Sequence, residues 1–378
     1  MSDIQAPPGL AGVVVTDTVL GGVRGDEGFF HYREFSATEL ASRRTLEDIW
    51  YLFQTGELPD SSQSVEFAWR LAEHRGITDE TLEIVVAAAR LGSGRASLLW
   101  IRTAASILAE SLGIETWLGR PIEDVADEAE RLVAALPTAI AVGWRSQQGL
   151  DPIMPNPRLP LATDFLTMLS GVTPSVTAAR AFEQYLILTI DHGLNASTFA
   201  ARAVASTGAD VGSSIVAGIG SLSGPLHGGA PSLVLDMLED IGTIDRIRPW
   251  VRKRLASGEP VMGFGHRVYR TDDPRAVMLK GVALEIGGPL VDLAVASEAI
   301  IVEELDRHRP GRDLRANVEF YAGVVLHLVG IPTELFPACF AISRSIGWTA
   351  HILEQIADNR VIRPKATYVG PPPPVPVP

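Results

Sequence analysis

The sequence predicts an all-α protein. Apolar residues recur at helical period through most of the chain between Ser36 and Asp358. Glycines and prolines fall at the ends of those runs, and no series of β-branched segments alternates with them as a parallel α/β sheet would require. With 46% hydrophobic and 20% charged residues the chain can build a substantial core, and 378 residues exceed the size at which one core stops growing. Two domains, or one large domain with a sizeable insertion, are therefore expected.

Taken in order, Gly12 to Val15 and Phe29 to Tyr32 read as short β-like pieces of a small ribbon or extended arm. Ser36 and Glu39 then form a capping box, and Leu46, Ile49, Trp50 and Phe53 mark an apolar helix face that ends at Gly56. Thr78 or Asp79 caps a run with Leu82, Val85, Val86 and Ala89 on one side. Further runs span Ala96 to Leu112, Ile122 to Ala135 and Pro137 to Trp144. The prolines at 152, 155, 157 and 160 make Asp151 to Pro160 a surface loop. Helical patterns resume at Leu161, Ser175 to Ile190 and Ala196 to Ser206, and continue as Ile244 to Ser257, Ala276 to Ile286, Leu290 to Arg307, Glu319 to Val329 and Thr333 to Asp358. The apolar stretch Ala322 to Ser343 is broken by Gly330-Ile331-Pro332, so it reads as two buried helices and not as a membrane span. Gly370 to Pro378 is a polyproline extension expected to be disordered.

The net charge of -13 argues against nucleic acid or an anionic membrane as the main partner, without excluding a local basic pocket. The only cysteine, Cys339, rules out an intrachain disulfide and a cysteine-cluster metal site, and reads as a small buried thiol. Without a basic segment followed by a long apolar one at the start, no secretory signal is expected and the cytoplasm is the expected location.

Polar groups crowd into a few places. In Ser221 to Gly242, His227 lies between Gly224-Pro225 and Gly228-Gly229, just before a run with Val234, Met237, Leu238 and Ile241 on one face. A helix N-terminus disfavours a second proton on such an imidazole, so His227 could donate a hydrogen bond to a developing oxyanion; alternatively it merely caps the helix. Asp191, His192 and Asn195 sit between two helices, and the glycine loop Val261 to Gly265 delivers His266, Arg270 and Arg275. Glu319 is a lone carboxylate in the apolar run from Asn317 to Gly323, with Arg344 and Arg363 downstream. Each stretch alone has a bland reading: Gly263-Phe264-Gly265 lacks the full dinucleotide fingerprint, and Arg344 could pair with Glu334 or Glu354. The histidines with Glu319 lack metal-ligand spacing, and no metal site is expected.

In this order the segments DHGLNASTFAAR, GPLHGGA, GFGHRVYRTDDPR, NVEFYAG and RPKATYVGP resemble the citrate synthase family, and the likeness runs from Gly9 to Tyr368. The resemblance implies a homodimer with a large helical domain at 1–228 and 331–370, a small mobile domain at 229–330, and a tail at 371–378. It implies condensation of acetyl-CoA with oxaloacetate followed by hydrolysis of citryl-CoA, with acetyl-CoA a substrate and no separate cofactor. By the same resemblance Glu319 is the base, His227 the donor to the thioester oxygen, and His266 the group that polarises the keto carbonyl. Arg275, Arg344 and Arg363 hold the dianion, Arg363 reaching in from the partner subunit, with His192 as a further donor and Phe340 lining the pocket. Val261, Met262, Gly263, Phe264 and Gly265 accept the adenine of CoA, with Arg270 near its phosphates and Asn317 beside it. One departure stands out: the family usually carries aspartate where this chain has Glu319. 2-Methylcitrate synthase, which takes propionyl-CoA, shares these motifs and is the nearest rival; a catalytically weak binding paralogue is the other.

Overall fold

The computed structural model describes residues 5–92, 97–224, 227, 230–266 and 268–374. An antiparallel ribbon opens the chain, β1 (Gly21–Arg24), β2 (Phe29–Tyr32) and β3 (Phe35–Ser36), with Gly21 opposite Tyr32 and His31 opposite Ser36. The expected piece at Gly12 to Val15 is not a strand: its three valines are exposed and no neighbouring strand pairs with it.

Helices follow. They are α1 (Ala37–Arg43), α2 (Leu46–Thr55), α3 (Ser61–Glu73), α4 (Asp79–Leu91), α5 (Ser97–Ser111), α6 (Ile122–Gln147), α7 (Leu161–Ser170) and α8 (Val176–Thr189). Next come α9 (Ala196–Ala205), α10 (Val211–Leu222), α11 (Ala230–Ile241), α12 (Ile244–Ala256), α13 (Pro274–Ile286), α14 (Pro289–His308), α15 (Val318–Leu328) and α16 (Phe336–Ala357).

Local chemistry sets many of the boundaries. Thr45 and Asp48 cap each other at the start of α2, Gly56 ends that helix in the left-handed region, and Thr78 caps α4. At α1 only half of the expected box forms: Ser36 accepts from Glu39 N–H, while the Glu39 carboxylate turns to Arg43 at 3.1 Å. The two runs expected on either side of Pro137 are one helix, α6. Proline removes a hydrogen bond there, but every residue from Leu132 to Gly143 is buried, and that packing outweighs the loss. Sequence periodicity also passed over α3 and α10. In α10, Gly218 makes a weak helix former necessary: a methyl there would stand 2.9 Å from the Trp348 ring of α16.

Helices α16, α6, α8, α9 and α10 pack together around the buried centre of the molecule, and α16 is buried along most of its length. Helices α11 to α15 pack chiefly on one another, and α13 and α15 lean on α8. Gly330 and a short 3-10 turn at Thr333–Leu335 separate α15 from α16, and among the described residues no helix is long and apolar enough to cross a membrane. Cys339 is fully buried, and burial pushes its thiol up.

Candidate active site

The end of α8, the start of α9, the loop before α11, the loop before α13, the start of α15 and the middle of α16 deliver the polar residues of one cluster. Arg344 is carried by the core helix α16 and is 2% exposed. Its Nε donates to the Thr189 carbonyl at 2.9 Å, and its guanidinium lies 4.6 Å from the centroid of the partly buried Phe340 ring. Neither Glu334 nor Glu354 pairs with it: Glu354 takes Arg202 at 2.6 Å, and among the described residues Arg344 forms no ion pair. A buried guanidinium without a carboxylate partner is a site for an anion.

Arg275 is equally buried. Asp273 grips it through Nε at 3.0 Å and Nη2 at 2.8 Å, and although burial opposes it, the guanidinium holds Asp273 below the usual carboxylate range. Asp273 also accepts from Val318 N–H at 3.0 Å, so one carboxylate ties the loop before α13 to the first turn of α15.

His266 has a defined tautomer. Its Nδ1 accepts the backbone N–H groups of Val268 at 2.9 Å and Tyr269 at 3.0 Å, so the proton of the neutral ring is on Nε2. Burial and the Arg275 charge lower its pKa to about 4. Nε2 lies 3.2 Å from Arg275 Nη2, two N–H groups face to face, and an acceptor oxygen set between them would satisfy both. His192 stands edge-on to His266 with ring centroids 5.6 Å apart, its Nε2 2.9 Å from the Tyr269 hydroxyl. Burial, then Arg275 and Arg344, push its pKa well down.

His227 reaches toward the start of α9. Its Nε2 lies 2.8 Å from the Ser197 hydroxyl, which also meets Asn195 Oδ1 at 2.8 Å and receives the Trp348 indole N–H at 3.3 Å. In that arrangement Ser197 donates to Asn195 Oδ1, which also accepts two backbone N–H groups; rotating the hydroxyl proton to His227 Nε2 would leave the amide oxygen satisfied and put the ring proton on Nδ1. The pKa of His227 is lowered as expected, but by burial and the Arg344 charge.

Glu319 occupies the first turn of α15, where Asn317 caps the helix by accepting Glu319 N–H at 3.1 Å. Burial raises its pKa to about 7; Arg275 and Arg344 pull the other way, which places all three charges within electrostatic reach. The Tyr185 hydroxyl nearby is fully buried without a partner among the described residues.

The glycine loop is zipped to the segment before α15. Gly265 N–H donates to the Arg315 carbonyl at 2.8 Å, Asn317 N–H to the Gly263 carbonyl at 2.9 Å, and Asn317 Nδ2 to the Gly265 carbonyl at 2.9 Å. Gly263 and Gly265 adopt positive φ; Val261 is buried, and Met262 and Phe264 are partly so, with the Phe264 ring 5.1 Å from Phe320. Arg270 is exposed, held by its backbone to Gly25.

The structure thus brings His192, His227, His266, Arg275, Glu319, Phe340 and Arg344 into one cluster, with the 261–265 loop and Asn317 at its side. It does not bring Arg363 there: that residue is exposed beyond α16, and among the described residues it makes no hydrogen bond or ion pair. Sequence reasoning assigned no role to Ser197, Tyr269 and Asp273, though each lies in a motif already rich in polar groups. It had no signal for Trp348, or for His351, whose Nε2 meets the buried Asp191 carboxylate at 3.2 Å.

Comparison with known proteins agrees in extent. The family described as "Citrate synthase, C-terminal domain" matches residues 9–365. The chain is 38% identical over 364 residues to the citrate synthase of Haloferax volcanii, covering 96% of this chain and 95% of that one. It is 37% identical to citrate synthase 2 of Bacillus subtilis, covering 97% of each. Among solved structures it resembles citrate synthase from Thermotoga maritima, at a TM-score of 0.85 and 35% identity over 98% of each chain. It also resembles a Thermoplasma acidophilum citrate synthase in ternary complex with carboxymethyl coenzyme A and oxaloacetate, at a TM-score of 0.87 and 28% identity over 97% of each chain. Sequence, fold and near-complete coverage together place this chain in the citrate synthase family, as an acyltransferase of that type.

Proposed function

We propose that the protein is a citrate synthase that condenses acetyl-CoA with oxaloacetate and hydrolyses citryl-CoA to citrate and CoA. The observation that carries this reading is a carboxyl group whose pKa is raised to about 7 in the same cluster as three imidazoles with lowered pKa values and two buried guanidinium groups. The acetyl methyl is a very weak carbon acid, and a base alone cannot remove its proton at a useful rate. Glu319 takes that proton while His227 Nδ1–H stabilises the enolate oxygen. The enolate carbon attacks the keto carbon of oxaloacetate, and His266 Nε2 gives its proton to the new alkoxide. Water then cleaves the thioester of citryl-CoA.

Arg275, Arg344 and His192 hold the dianion, and Arg363 joins them from a second subunit of a homodimer. The loop 261–265 with Asn317 receives the CoA adenine, with Arg270 beside the phosphates, and residues 229–330 close over the substrates as the small domain. A carboxymethyl-CoA and oxaloacetate complex of the Thermoplasma acidophilum relative supports this choice of ligands.

The Asn317 cap and the Asp273 bond to Val318 hold the backbone that carries Glu319. One methylene in an apolar pocket discriminates by only about 1–3 kcal/mol, so propionyl-CoA is the competing substrate. Steady-state CoA release from acetyl-CoA and from propionyl-CoA, each with oxaloacetate, tests the reading. A higher kcat/KM for acetyl-CoA is expected; a clear propionyl preference makes the protein a 2-methylcitrate synthase, and a rate no better than that of Glu319→Gln removes the catalytic assignment.

A further inference from the structure

The N-terminal ribbon touches both sides of the proposed oxaloacetate site. On one side, the buried Tyr32 hydroxyl donates to the Ile187 carbonyl at 2.8 Å and lies 3.4 Å from Asp191 N–H, while the Phe30 ring packs 5.8 Å from His192. On the other, the turn joining β1 and β2 seats against the loop that carries His266. Arg270 N–H donates to the Gly25 carbonyl at 3.1 Å. At two positions of this turn there is no room for a side chain. A methyl at Gly25 would drive into the Val268 carbonyl oxygen and stand 3.2 Å from Val268 Cγ1. One at Gly28, where φ is +62°, would stand 2.7 Å from Thr271 Oγ1 and 3.2 Å from the Asp272 carbonyl oxygen. The contacted segment is the one whose Val268 and Tyr269 amides fix His266 Nδ1, and whose Tyr269 hydroxyl meets His192.

We propose that the β1–β2 turn is a positioning element for the carbonyl-activating histidine. Gly25 and Gly28 let the ribbon seat against residues 268–272, and that contact keeps the Val268 and Tyr269 amides on His266 Nδ1 so that the Nε2 proton faces the keto oxygen of oxaloacetate. The turn touches no substrate itself; it acts through the loop. The inference rests on the role given to His266 above, and the experiment separates the two.

Full-length Gly25→Ala, Gly28→Ala, Thr271→Ala and the Gly28→Ala/Thr271→Ala double variant are compared with the wild type. The readouts are the infrared stretch of the keto carbonyl of bound oxaloacetate labelled with carbon-13 at that position, kcat, KM for acetyl-CoA, and the thermal midpoint. In the wild type, bound oxaloacetate should show a lowered stretch, the signature of a polarised carbonyl. Gly25→Ala should lose most of that lowering, with kcat down roughly tenfold to a hundredfold, as expected for a displacement of about an ångström, and KM for acetyl-CoA nearly unchanged. Gly28→Ala should do the same more mildly. Thr271→Ala should match the wild type, and the double variant should recover part of what Gly28→Ala loses, because the clashing hydroxyl is gone.

A lower thermal midpoint with carbonyl stretch and kcat unchanged in the folded Gly25→Ala enzyme would make the turn merely structural and overturn the inference. Should Gly25→Ala not fold, absence of rescue in the Gly28–Thr271 pair overturns it as well. A wild type that binds oxaloacetate without shifting the stretch removes the role of His266 itself, an outcome distinct from wild type and Gly25→Ala shifting it equally.

Discussion

A carboxyl group with a pKa of about 7 is half protonated at neutral pH, so Glu319 should set the acid limb of the rate. Burial raises the pKa by disfavouring the ion, hence the base form appears only as pH climbs through about 7, and kcat/KM for acetyl-CoA should rise with pH across that point. Below it, each pH unit should lower kcat/KM about tenfold. His266, at about 4, is already neutral there and should add no inflection between pH 5 and 8, and burial and the Arg344 charge lower the pKa of His227 too. The pH profile of kcat/KM measures both points; an acid limb near the ordinary carboxylate range would show that Glu319 does not act from this buried position. Replacing Glu319 by Gln should reduce kcat about a hundredfold to ten-thousandfold, the usual span for a positioned base. These values were not readable from the motif, because the sequence gives the residue types and the fold gives their desolvation.

The start of α15 and the glycine loop form one unit, because Asn317 both caps the helix under Glu319 and donates to the Gly265 carbonyl. Asn317→Ala should cost about 1 kcal/mol of stability through the cap alone. Loosening of the loop should also raise KM for acetyl-CoA, which steady-state kinetics beside a denaturant titration will separate. Packing of α10 on α16 makes a different demand. Gly218→Ala would press a methyl against the Trp348 ring and should destabilise the protein by about 1–3 kcal/mol, read as a lower denaturation midpoint. Helix periodicity predicted most elements but missed α10, since serines and glycines weaken the pattern where two helices approach closely. It divided α6 at Pro137 because propensity counts the lost hydrogen bond and not the packing on all sides.

At the scale of the whole molecule, the exposed position of Arg363 fits a role in a neighbouring subunit's site. Chains carrying Arg363→Ala and Glu319→Gln should each be nearly inactive alone. Unfolded together and refolded, they should regain activity, because one site of each mixed dimer then combines Glu319 from one chain with Arg363 from the other. No recovery in a preparation shown to contain mixed dimers would place Arg363 outside the partner's site. The proposed closure of residues 229–330 over the substrates predicts that oxaloacetate strengthens acetyl-CoA binding, since an exposed enolate would be quenched by water. Calorimetric titration with and without oxaloacetate measures this, and equal affinities would contradict closure driven by the first substrate.

By itself the sequence determined the helical class, most helix faces and the motifs that hold His227, His266, Arg275, Glu319 and Arg344, because periodicity and local chemistry are written in neighbouring residues. Only the tertiary structure decided which buried polar groups satisfy one another. Asp191 meets His351, Ser197 meets Trp348 and Tyr32 reaches Ile187, each pair more than a hundred residues apart. A buried donor must find its acceptor wherever the packed core places one, and helical period says which face is buried but not what lies opposite. The same holds for charge: the pKa of Glu319 and the tautomer of His266 follow from surroundings assembled from distant segments, which no single stretch of sequence contains.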